Sequence, residues 1–103
     1  MVRLTDSSLT LRISGVDLTR SDPVIVTLSQ LSTLIEAANV TVADAGTLLV
    51  NLTQQETGRL QPGSARIQVN GVRDGKRWAT EAAKIELTEN LLGRVLETSG
   101  VAE

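Results

Sequence analysis

The stretch Ala65-Arg66-Ile67-Gln68-Val69-Asn70-Gly71-Val72-Arg73-Asp74-Gly75-Lys76-Arg77-Trp78-Ala79-Thr80 decides the fold. An Asp-Gly pair flanked by extended residues favours a two-residue hairpin loop of type I′, because Gly takes left-handed dihedrals without a side-chain clash. Counting outward sets Arg73 opposite Lys76, Val72 opposite Arg77, Gly71 opposite Trp78, Asn70 opposite Ala79 and Val69 opposite Thr80. One face then holds Ala65, Ile67, Val69, Gly71, Trp78, Thr80 and Ala82, and the other Arg66, Gln68, Asn70, Arg77 and Glu81. A slip of one residue would mix the two sets, so the pattern itself specifies the register. Past Ala82 the phase changes: Ala83, Ile85 and Leu87 become the apolar set, with Lys84 and Glu86 between them. This predicts a β-bulge near Ala82-Ala83.

Alternation of period two recurs upstream, between segments of turn chemistry. Leu9, Leu11 and Ile13 share a face until Ser14-Gly15 ends the run, and Val24, Val26 and Leu28 share another after Ser21-Asp22-Pro23. Ile25 on the opposite side of that second run suits a central strand. Leu31 to Ala37 and Asn39 to Val42 form a weaker pair, and Asp44-Ala45-Gly46 turns into Thr47 to Leu52, where Leu48, Val50 and Leu52 align. Thr53-Gln54-Gln55-Glu56 has the spacing of a capping box, which predicts one short helical turn to about Gly58 before Pro62-Gly63 redirects the chain. Thr88 can cap a short C-terminal helix with Leu91, Leu92, Val95 and Leu96 along one side, weakened at Gly93. The expected organisation is a flexible N-terminus at 1–8, a sandwich at 9–87, a helix at 88–97 and a flexible tail at 98–103.

Composition bounds the chemistry. The chain has 103 residues with no Cys and no His, which removes the thiolate nucleophile, zinc-finger ligand sets and the commonest general base. Ten basic and twelve acidic residues are interspersed, giving a net charge of -2 and no basic run to attract nucleic acid. No apolar stretch approaches the roughly 20 residues that cross a bilayer, and no signal peptide or anchor is expected. Asp17, Asp22, Asp44 and Asp74 fall singly in turns, where Asp is common anyway, so neither a metal nor a cofactor is expected. No Ser, Lys or Glu occupies a nucleophile-elbow or Ser-x-x-Lys setting, and the chain reads as non-enzymatic.

Seven or so short strands with one helical turn and a short C-terminal helix predict an all-β, immunoglobulin-like antiparallel β-sandwich, with a small partly closed barrel as the alternative. With one Trp and no Phe or Tyr, its core must be aliphatic.

Three further stretches carry a family resemblance: Leu11-Arg12-Ile13-Ser14-Gly15-Val16-Asp17-Leu18-Thr19, Val24-Ile25-Val26-Thr27-Leu28-Ser29-Gln30, and Leu52-Thr53-Gln54-Gln55-Glu56-Thr57 with Pro62-Gly63. Together with Ile67-Gln68-Val69-Asn70, Asp74-Gly75, Ala79-Thr80 and Asn90-Leu91-Leu92, the chain from about residue 9 to 96 resembles small proteins of tailed phages and prophages of Gram-positive bacteria. In outline it is also similar to the immunoglobulin-like N-terminal domain of phage upper baseplate proteins. In that family a Trp usually follows the Val-Asn pair, where this chain has Gly71, and a β-branched residue usually stands where it has Trp78. The resemblance implies that the ring has moved to the facing strand.

The resemblance implies a virion structural or assembly protein of the head-tail or baseplate region, made in the bacterial cytoplasm. It would bind other virion proteins or itself, as a homo-oligomer, through strand edges. An accessory protein that inhibits a host factor and a carbohydrate-binding adhesion module are the rival readings, the latter weakened by the scarcity of aromatic rings. Trp78, Leu92 and Leu96 are the candidate partner contacts.

Overall fold

Asp74 and Gly75 both take left-handed dihedrals, with φ of 52° and 76°, and the hairpin closes on the register counted from the sequence, from Arg73 opposite Lys76 to Asn70 opposite Ala79. A computed structural model describes residues 1–92. Its strands are β1 (Ser7–Arg12), β2 (Val24–Gln30), β3 (Thr33–Glu36), β4 (Asn39–Asp44), β5 (Thr47–Leu52), β6 (Gly63–Arg73), β7 (Lys76–Ala79) and β8 (Ala83–Leu87). A 3₁₀ turn covers Leu18–Arg20 and a single helix, α1, covers Gln54–Gly58.

Two antiparallel sheets result, one ordered β1-β5-β4 and the other β3-β2-β6-β7, with β8 also on β6. In each sheet a hairpin, β4-β5 or β6-β7, pairs with an earlier strand, β1 or β2. This Greek-key wiring matches the B-E-D and C′-C-F-G sheets of an immunoglobulin-like sandwich. The eighth strand arises because a bulge splits the last one. Between the pairs Asn70↔Ala79 and Ile67↔Ala83, β6 advances three residues and its partner four. Thr80 stitches the gap: its N–H donates to Val69 O at 2.9 Å, and its hydroxyl accepts from Val69 N–H at 3.1 Å.

The inward faces of β2, β5 and β6 supply most of the core, including Val26, Leu28, Leu48, Val50, Leu52, Ala65, Ile67 and Val69. Leu18 and Leu60 close its two ends. The capping box forms as expected: Thr53 N–H donates to Glu56 Oε1 at 2.9 Å and Glu56 N–H donates to Thr53 Oγ1 at 3.2 Å.

Three expectations need correction. Leu31–Ala37 and Asn39–Val42 do not face each other: β3 returns on β2, and β4 crosses to β5 in the other sheet. Residues 1–8, expected to be loose, are tied down. Thr57, fully buried, donates its hydroxyl to Thr5 O at 2.8 Å and accepts from Thr5 N–H at 3.1 Å, while Arg3 Nη2 donates to Gly58 O at 2.7 Å. Thr88 does not cap a helix. It bridges Val2 in parallel and donates its N–H to Met1 O at 2.8 Å, and residues 88–92 are non-helical. The remainder of the expected helix, with Val95 and Leu96, lies outside the described residues.

Candidate functional site

Trp78 takes the position its register dictates. Gly71 is buried directly beneath the ring, and a Cβ added there would stand 2.6 Å from Trp78 Cε2. The indole is partly buried against the core, and its N–H donates to Ser21 Oγ at 3.2 Å. Ser21 in turn donates to Asp17 O at 3.0 Å, so the hairpin is tied to the β1-β2 connection. The open flank of the ring fronts two shallow notches of about 360 and 370 Å³, edged by Arg12, Val16, Arg73, Lys76, Arg77 and Glu81. They exist because β1 and β7 are edge strands of different sheets, with no further strand between them.

Two of the isolated acids hold turns. Asp17 accepts from Thr19 N–H at 3.0 Å and from the Thr19 hydroxyl; the hydroxyl bond, chiefly, keeps its carboxyl below the ordinary aspartate value. Asp44 is lowered likewise, first by the Gly46 N–H it accepts at 2.9 Å. Among the described residues no three His, Cys, Asp or Glu side chains converge.

Trp78 and Leu92 do not form one surface. Trp78 pairs with Gly71 near the hairpin end of β6, whereas Leu92 follows Leu87, which pairs with Gly63 at the opposite end, roughly 25 Å away along the strand. Leu92 is exposed, and Leu96 lies outside the described residues.

What the chain chiefly offers is strand edge: β1 and β4 in one sheet, β3 and the β7-β8 side in the other. Natural edges are blunted by charges, bulges or covering segments. The β7-β8 side has all three: outward Arg77 and Lys84, the bulge, and residues 1–3, whose Met1 ammonium donates to Glu86 O at 3.0 Å. β4 carries a bulge between Val42 and Asp44, and β1 ends on Arg12. β3 has no bulge, no basic residue and no covering segment among the described residues, its one charge being Glu36 at its end, and it adds exposed Leu34, with exposed Leu31 in the turn before it. Sequence reasoning assigned this segment to a strand but missed its exposure, since Leu34 and Ile35 are equally apolar and only the sheet order tells which is covered.

Fold and surface together define a class, the immunoglobulin-like β-sandwich with open edges. Comparison with protein-family models, curated proteins and solved structures finds no match for the chain.

Proposed function

We propose that this chain is a non-enzymatic structural or assembly protein of a tailed-phage or prophage virion. It contributes an immunoglobulin-like module to the head-tail or baseplate region and works through protein-protein contacts. The observation that carries this reading is the set of open strand edges on a sandwich whose Asp17 and Asp44 are engaged in turns and whose single Trp is engaged in packing. Unpaired edge amides and carbonyls bind other strands, not small substrates. The sequence resemblance to small phage proteins supports the same reading and supplies the setting, a particle assembled in the bacterial cytoplasm.

Mass spectrometry of purified particles from the source prophage or phage tests it. Recovery of this chain at a stoichiometry comparable with known structural subunits is expected, and its absence from intact particles would refute the proposal.

A further inference from the structure

We infer that β3 is a self-pairing edge. Two copies of this chain join antiparallel along Thr33–Glu36 about a two-fold axis at Ile35, merging their five-stranded sheets into one. This inference rests on the assembly reading above and names the partner at one edge.

The backbone sets the geometry. Ala37 N–H donates to Val26 O at 2.9 Å, so in the register Leu28↔Ile35 and Gln30↔Thr33 the hydrogen-bonded pairs are these two. Hydrogen-bonded and non-hydrogen-bonded pairs alternate in an antiparallel ladder. The N–H and C=O groups of Leu34 and Glu36 therefore point away from β2, toward the uncovered side.

Side chains mark the same place. Leu34 is 62 % exposed, and Leu31, 96 % exposed, takes the left-handed φ of 52° that the two-residue hairpin loop between Gln30 and Thr33 imposes. Among the described edges, β3 alone joins free backbone groups to large exposed aliphatic side chains without a bulge, a basic residue or a covering segment.

Self-complementarity selects a second copy as the occupant. When Leu34 pairs with the partner's Glu36, and Glu36 with the partner's Leu34, each outward N–H and C=O of both strands finds a mate. Ile35 then faces the partner's Ile35 as a close, non-hydrogen-bonded pair, and the two Leu34 side chains lie diagonally within reach on the outer face. Only Glu36 is charged on this strand, and both copies of it stand on the water-facing side, where salt screens them. A two-fold arrangement of this kind closes on itself and stops at the dimer. The strand is four residues long, so the contact is smaller than the ~800 Å² per partner of a standard interface and the dimer is weak and concentration-dependent.

Sedimentation velocity on the full chain, from about 10 μM to about 1 mM, is the test. Wild type should move from monomer toward dimer across that range. Leu34→Lys places a charge at the edge, and Leu34→Pro removes an N–H that no intrachain bond uses; each should weaken association at least about tenfold. Both should keep the wild-type far-ultraviolet dichroism, and Thr41→Lys on β4 should dimerise as wild type does. A wild type that stays monomeric throughout, or folded Leu34 variants that dimerise unchanged, would overturn the inference. Recovery of such a monomer in purified particles would leave the assembly reading standing, and its absence from them would remove both.

Discussion

Placing a methyl group at Gly71 interrogates the contact on which the hairpin register, the core and the single indole all depend. The added Cβ would stand 2.6 Å from Trp78 Cε2 and 3.0 Å from Nε1, both too close, so the ring must tilt and loosen its bond to Ser21. Overpacking of this kind costs ~1–3 kcal/mol. Against it stands the ~0.5–1 kcal/mol that Ala gains over Gly in a strand interior, leaving a net loss of up to about 2.5 kcal/mol for Gly71→Ala. With the ring removed by Trp78→Ala the clash vanishes, and the same Gly71→Ala change should stabilise by ~0.5–1 kcal/mol. The sign inverts between the two backgrounds, a coupling of ~1–3 kcal/mol in a double-mutant cycle. Urea unfolding followed by far-ultraviolet dichroism measures all four proteins, because Trp78 is the chain's only tryptophan and fluorescence disappears with it. Equal effects of Gly71→Ala with and without the ring would show that the indole does not rest on Gly71.

Two further outcomes follow from bonds of the tied terminus and the turns. Thr57→Val keeps the side chain's volume but leaves Thr5 N–H and C=O without their mate, which should cost ~1–3 kcal/mol in urea unfolding and raise amide exchange at Thr5; an unchanged Thr5 amide would count against the bridge. Asp17 and Asp44 have folded pKa values below their reference of 3.8, so the stability they contribute is present above about pH 4 and is lost as pH falls through the folded values. The urea midpoint should therefore drop between about pH 4 and pH 2, and an Asp17→Asn, Asp44→Asn double variant, which cannot titrate at these sites, should show a shallower fall; a curve parallel to wild type would contradict the assignment.

Features with local causes were legible in the sequence. The Asp74-Gly75 loop fixes its register within a few residues of itself, the phase slip after Ala82 betrays the bulge, and Thr53 and Glu56 cap a helix whatever surrounds them. Features whose partners are remote were not. Nothing near Thr5 announces that Thr57 will bind it, and the divergence of β3 and β4 onto different sheets depends on β2 and β5. Thr88 looked like a helix cap because its competing partner, Met1 O, stands 87 residues away. At the candidate site the balance was similar: Trp78 over Gly71 is a cross-strand neighbour and could be counted, whereas the bareness of Leu31 and Leu34 is a property of sheet order.

The parallel bridge between Val2 and Thr88 also decides how the molecule bears load. Met1 donates to Glu86, Thr88 to Met1 and Arg3 to Thr88, a short ladder joining the first residues to the end of β8 with both segments running in the same direction. Tension applied between residue 1 and residue 92 pulls these segments past each other lengthwise, so the three bonds share the force at once, whereas a hairpin pulled from its open end breaks its bonds in turn. Shear loading of this kind raises the force at which the first rupture occurs and makes the terminal ladder a mechanical fuse, one that must give way before tension reaches the sheets.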